Sequence, residues 1–233
     1  MIVVEENFMS MADIGKRWNF NTPWGAGKDK LGIYSRDAYY HCIGGSVIMG
    51  CKPSDEFGYL MPRLFWKGAP MGFGRYEALM KVPPQNSVNV FVLYTQAHYN
   101  NVIRSIMPEI DVAEYGLHNH PTKLNVAVHQ WSCRTNFKSH PAYADIEDRH
   151  TLDYMGHKIK DKQLDKWDGK IHHHMCEVTA KKCTIYLDGD KVLSVRGKFY
   201  PFFTPTFGQV LPKWVDPVVT LPIEIMNFKY SAE

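Results

Sequence analysis

Several features that would direct the reading elsewhere are scarce in this sequence. No stretch approaches the roughly 20 consecutive apolar residues that a membrane-spanning helix needs, so no membrane partner is expected. No segment sustains an apolar repeat of helical period, which leaves little room for long amphipathic helices. The net charge is only +3 and the basic residues do not gather into a run, which argues against a nucleic-acid partner. Cysteine is thin: Cys42, Cys51, Cys133, Cys176 and Cys183 are odd in number and scattered. Only Cys176 and Cys183 come close, at a spacing unlike that of a zinc site, so reduced and mostly buried thiols are expected. The opening Met1-Ile2-Val3-Val4-Glu5-Glu6 lacks both a basic segment and a long apolar one, so no secretory signal is read there. The chain is expected to be cytoplasmic at synthesis, compatible with a phage or intracellular source, with a removed signal or release from the cell left open.

What is present fits a single all-β domain spanning residues 1–233. Hydrophobic residues make up 45% of the chain, enough for a sizeable core, and all-β sandwiches of this length are often one domain. Gly44-Gly45 divides Tyr39-Tyr40-His41-Cys42 from Ser46-Val47-Ile48-Met49 and reads as a hairpin. Strands are expected at Tyr59 to Trp66, at Ser87 to Thr95 (buried on both faces) and at Lys123 to Trp131. In the last of these Asn125, Ala127, His129 and Trp131 share one face. Further strands are read at Met175–Val178, Cys183–Leu187, Lys191–Val195 and Leu221–Tyr230, with Asp188-Gly189-Asp190 as a hairpin turn. Lys16 to Gly32 reads as an irregular lead-in, Asn136 to Lys170 as a long surface loop, and Pro201 to Pro217 has too many prolines for a helix. Turn signals about every ten residues argue for a sandwich and against a split into two domains.

The stretch Glu109-Ile110-Asp111-Val112-Ala113-Glu114 is chemically unusual for a buried-looking strand. Side chains alternate along a strand, so Glu109 and Asp111 share a face while Ile110 and Val112 take the other. Glu114 is five positions from Glu109 and would point the wrong way in a regular strand. One bulge at Val112-Ala113 returns it to the face of the other two. Two carboxyl groups about 5–5.5 Å apart across a sugar bond are the equipment of a retaining glycosidase, whereas more than about 6.5 Å would indicate inversion. The bland reading is a solvated acidic strand, which must bear the repulsion of three like charges on one face.

Four blocks in order resemble glycoside hydrolase family 16, the laminarinase, lichenase, agarase and carrageenase group. Gly72-Phe73-Gly74-Arg75-Tyr76-Glu77-Ala78 resembles that family's Y-G-R-F-E-A strand, and Glu109 to Glu114 its bulged E-x-D-x-x-E signature. His172 through Val178 resembles F-H-x-Y-x-x-E-W, with Ile171 and Val178 in place of the Phe and Trp. Ile185-Tyr186-Leu187-Asp188-Gly189 resembles the hairpin that follows. The resemblance implies a concanavalin-like β-jelly roll of two antiparallel curved sheets with a concave cleft, and an endo-acting retaining glycosidase on a polysaccharide. It further implies Glu109 as nucleophile, Glu114 as acid and then base, and Asp111 between them. No cofactor is required. A structural calcium occurs in relatives, but nothing in this sequence localises one, and no metal ligands are assigned. A monomer is expected.

By the same resemblance, His129 and Trp131 are candidates for the sugar-binding groove, Glu77 for a charge reaching it, and Trp24 and Trp66 for stacking platforms. A satisfied core histidine, core tryptophans and a solvated glutamate are the plain alternatives. The chain departs from the family where the sugar is chosen. Met107 stands where lichenases carry a Trp, the W-x-N-E-x-Q-x-Y segment of laminarinases is missing, and so are the Asn and Trp expected near Phe202-Phe203-Thr204. A β-1,3- or mixed-linkage β-1,3/1,4-glucan is the default. A galactan of the agar, porphyran or carrageenan type, a transglycosylase and a non-catalytic carbohydrate-binding jelly roll are the alternatives. His118-Asn119-His120 only mimics a nuclease motif. His172-His173-His174 cannot form one metal site, because adjacent strand residues point to opposite faces.

Overall fold

A computed structural model describes residues 2–20, 30–95, 107–116, 123–131, 161–164, 167–197, 199, 201–215, 218 and 220–233. Strand β1 (Ile2–Glu6) leads into helix α1 (Met11–Arg17), followed by β2 (Trp18–Asn19), β3 (Ile33–Tyr34) and the hairpin β4 (Tyr39–Ile43) and β5 (Ser46–Gly50). Next come β6 (Lys52–Ser54), β7 (Gly58–Met61), β8 (Arg63–Trp66), β9 (Gly74–Lys81), β10 (Val88–Thr95), β11 (Met107–Tyr115) and β12 (Leu124–Trp131). The chain ends with β13 (Asp161–Leu164), β14 (Ile171–Val178), β15 (Lys182–Leu187), β16 (Asp190–Arg196), β17 (Phe203–Val210) and β18 (Ile223–Ala232). They form an eight-stranded sheet ordered β16-β15-β14-β9-β18-β5-β4 with β1 on β18, a seven-stranded sheet ordered β13-β12-β11-β10-β17-β8-β2, and a small sheet β3-β7-β6. Pairing in both large sheets is antiparallel.

The two large sheets pack their inner faces together because each strand alternates. Tyr76, Ala78 and Met80 of β9 meet a core that includes Phe91 and Leu93 of β10 and Ile110 and Val112 of β11, all fully buried. Aromatic rings fill one part of it: Phe91 stacks on Phe207 at 4.7 Å, and Trp18 meets Phe228 edge-on at 5.6 Å. A buried polar group holds the sheets at another part. The two N–H groups of Gln209 Nε2 are shared among Gln85 Oε1 at 3.0 Å, Asn89 Oδ1 at 2.9 Å and the Leu221 carbonyl at 2.9 Å, and its Oε1 accepts from the Cys51 N–H at 2.7 Å.

Most expected strands are in place, including β10 buried on both faces and the two Gly-containing hairpins. Helix α1 is a departure. It has seven residues, too few for a periodic apolar stripe, and is defined by its cap: Ser10 Oγ accepts from the Asp13 N–H at 3.1 Å, with Lys16 and Arg17 in the last turn. The proline-rich stretch holds β17, a central strand. Pro205 is tolerated because the β8 ladder ends one residue away, at Thr206. Within the expected long loop, β13 adds to the sheet edge. Among the described cysteines, Cys176 and Cys183 are buried with sulfurs 3.5 Å apart, whereas Cys42 and Cys51 are only partly buried and Cys133 lies outside the described residues.

Candidate active site

The carboxylates lie on the outer face of the seven-stranded sheet, and β11 brings them there by a bulge. On the β10 side Asp111 pairs with Val92 and Ala113 with Phe91, so Val112 is the extra residue. On the β12 side the register skips between Asp111, opposite Ala127, and Glu114, opposite Asn125. The bulge therefore falls at Val112-Ala113, where the five-residue spacing requires it. Ile110, Val112, Ala113 and Tyr115 are buried in the core, and Glu109, Asp111 and Glu114 take the other face. Asp111 is nearly inaccessible, at 2% exposure, while Glu109 and Glu114 are partly exposed.

Three rows of neighbours cross the sheet at these positions. Glu109 sits between His129 and Tyr94, with Thr204 beyond. Asp111 sits between Ala127 and Val92, with Thr206 and then Phe65 beyond. Glu114 sits between Asn125 and Val90, with Gly208 and then Arg63 beyond. Val88, Val90 and Val92 give this face an apolar floor with Tyr94 and Val210 against it. The Arg63 guanidinium lies over the Tyr34 ring at 4.9 Å and the Tyr94 ring at 5.2 Å. Burial pushes the Tyr94 phenol far above its ordinary range; the charges of Glu109 and Asp111 add to that and Arg63 opposes it. Tyr94 is thus a neutral hydroxyl beside two carboxylates. Asn125 Nδ2 donates to Glu114 Oε2 at 3.1 Å.

The reverse side of β11 is anchored across the core. The Tyr115 hydroxyl and His174 Nε2 share a hydrogen bond of 2.9 Å, and the Tyr115 ring lies 5.5 Å from Trp167, whose Nε1 donates to the Val82 carbonyl. Gly116 follows in the left-handed region at φ +83, where a Cβ would stand 2.3 Å from the Ser87 carbonyl oxygen. Glu114 is therefore carried on a strand end fixed from behind.

Two of the expected groove residues are elsewhere. Glu77 lies on the other large sheet and points outward, because Tyr76 and Ala78 on either side of it face the core; its carboxylate meets His173 Nε2 at 3.1 Å. Trp66 alternates with Phe65 and so joins Leu64 on the core side, edge-on to Trp18 at 5.4 Å and donating to the Ala69 carbonyl. His129 is opposite Glu109 and Trp131 opposite Met107 in register, but their side chains lie outside the described residues, as does all of Trp24. His118-Asn119-His120 lies outside them too. His172 and His174 do face inward and His173 outward, and among the described residues no group of three or more His, Cys, Asp or Glu is arranged to hold a metal ion. Sequence reading did not single out Tyr94, Arg63 or Asn125 as site residues. Strand alternation put Asn125 on the face of His129, but Arg63 and Tyr94 emerge only from the order of strands in the sheet.

The fold is the concanavalin-like jelly roll of glycoside hydrolase family 16 glucanases. The laminarinase catalytic domain of Thermotoga maritima MSB8 superposes with a TM-score of 0.74 at 15% identity, covering 100% of this chain and 98% of that one. A laminarinase from Flavobacterium sp. UMI-01 gives 0.71 at 17% identity, covering 99% of each. A glycoside hydrolase family 16 endo-glucanase from Bacteroides ovatus gives 0.70 at 14% identity, covering 98% of this chain and 99% of that one. No family profile and no curated protein matches the sequence itself.

Proposed function

We propose that this chain is an endo-acting retaining β-glucanase that hydrolyses β-1,3- or mixed-linkage β-1,3/1,4-glucan. The observation that carries the reading is the bulge that sets Glu109, Asp111 and Glu114 on one outward face. In the first step the Glu109 carboxylate attacks the anomeric carbon as the bond to the leaving oxygen breaks, and Glu114 gives its proton to that oxygen. In the second, Glu114 takes a proton from water, whose oxygen attacks the same carbon and releases Glu109. Three close carboxyl groups cannot all ionise cheaply, which favours a retained proton on one of them. Nearly inaccessible Asp111, between the two glutamates, is suited to orienting Glu109. The glucanases that share the fold support a glucan over a galactan.

The test is incubation with β-1,3-glucan, mixed-linkage glucan, agar and carrageenan, with the anomer of the first-formed product read by proton NMR. The expected result is internal cleavage of a glucan with β-anomer released first. Glu114→Gln should lower turnover by about 10²–10⁴-fold, with the folded melting profile retained. Full activity in Glu109→Gln, or initial release of the α-anomer, would overturn the mechanism. Binding of a polysaccharide without any cleavage would make the chain a carbohydrate-binding jelly roll instead.

A further inference from the structure

Asn125 is held in an arrangement that structure alone does not explain. It is 5% exposed and sits directly opposite Glu114 in the β11–β12 ladder. Its Nδ2 donates to Glu114 Oε2 at 3.1 Å, while its Oδ1 is buried with no hydrogen-bond partner among the described residues. Leaving a buried amide oxygen unmatched is unfavourable, and native folds seldom do so without a reason. Val90, the neighbour of Glu114 on the other flank of the ladder, is apolar. A carboxylate is only an acceptor and is served by Nδ2–H. A carboxylic acid also carries an O–H donor and needs an acceptor, which Oδ1 supplies when the amide turns over.

We propose that Asn125 is the positioning residue of Glu114, donating to it when it is ionised and accepting from it when it is protonated. This rests on the reading of Glu114 as acid and base. A group that gives up and regains a proton within one turnover must be held in place in both forms, and a carboxamide is a neutral side chain that serves either one. Among the described side chains, the charged and titratable groups on this face of the elements around Glu114 are Glu109 and Asp111 on its own strand, Tyr94 on β10, Arg63 on β8 and Lys123 just before β12. Asn125 adds no charge to that set.

The sign of the effect follows. Removing a donor to the carboxylate disfavours its charged form, so Glu114 keeps its proton to higher pH and the alkaline limb of kcat/KM moves up. For Asn125→Ala we expect that limb to rise by about one pH unit, with kcat at the optimum falling about tenfold and KM little changed. Asn125→Asp puts a second carboxylate at the position and should move the limb further up, whereas Asn125→Ser keeps a donor and acceptor and should stay nearer the wild type. Thermal melts confirm that each variant is folded, and Ser and Asp carry the test if Ala does not fold. A loss of activity that is equal at every pH, with the limb unmoved, would overturn the proposal. Carbon-13 titration of the Glu114 carboxyl, assigned with Glu114→Gln, gives a readout free of activity. Its midpoint should rise in the Ala and Asp variants, and an unmoved midpoint would also overturn the contact. An inactive wild type with a moving midpoint would instead overturn the glucanase reading, and with it the catalytic meaning of the pair.

Discussion

Two histidines two positions apart on β14 meet opposite environments. His174 is fully buried against Tyr115, and burial pulls its pKa down from 6.5 to about 3. His172 has Asp188 Oδ2 at 2.7 Å on Nδ1 and Asp168 Oδ1 at 2.9 Å on Nε2; burial opposes its charge, but the two carboxylates outweigh that and raise its pKa above 6.5. The unfolded chain takes up a proton at position 174 as pH falls through 6.5, while the fold resists until about 3. That contribution to stability is therefore present above 6.5 and lost toward acid. His172 behaves in reverse: its contribution is complete below 6.5 and disappears as pH rises through its raised folded value. Melting temperatures measured from about pH 4 to about pH 9 should thus show His172→Gln destabilising most at the acid end and His174→Gln flattening the acid decline. Identical pH dependence in both variants and the wild type would refute this.

At the scale of the element, the bulge in β11 converts a spacing into a site. With the outer glutamates five positions apart, one extra residue must leave the ladder, and the register shows that it does so at Val112-Ala113. Deleting Ala113 leaves a Glu-Ile-Asp-Val-Glu order whose strict alternation still puts three carboxyl groups on one face, so the deletion variant should retain measurable hydrolysis. Inserting one alanine after Ala113 instead makes the offset six: with the bulge kept Glu114 turns toward the core, and without it Glu114 faces outward but two positions further from Glu109 than in the deletion variant. Hydrolysis should then fall to the level of Glu114→Gln. Product release from the two variants, compared under the same conditions, decides the matter, and equal losses would count against the bulge as the aiming device. The motif was legible because alternation is a local property of the chain. Glu77 and Trp66 were misread for the same reason: alternation tells which residues share a face, but not which sheet the strand joins or which face is buried.

For the whole molecule, Gln209 joins parts of the chain that are far apart in sequence. It lies on β17 in the seven-stranded sheet and bonds the turn before β10, β10 itself, and the backbone at Cys51 and Leu221, which flank strands of the other sheet. Gln209→Met matches much of the volume but leaves the Cys51 N–H and the Leu221 carbonyl without their partner. A loss of about 2–4 kcal/mol is expected, read as a lower urea midpoint with an unchanged m-value. A midpoint equal to the wild type would show that water or a neighbouring group replaces the amide.

By itself the sequence determined the class of fold, the hairpins at Gly44-Gly45 and Asp188-Gly189, and the need for a bulge between Asp111 and Glu114. All of these follow from turn chemistry and from the two-residue period of a strand, which act between near neighbours. Only the tertiary structure decided that Tyr94 and Arg63 stand beside the carboxylates, that Asn125 reaches Glu114, and that Glu77 is on the opposite sheet. Those outcomes depend on strand order, where β17 is inserted between β10 and β8 and β9 is sent to the other layer. Strand order is set by burying many apolar faces at once, a sum over the whole chain that no local pattern contains.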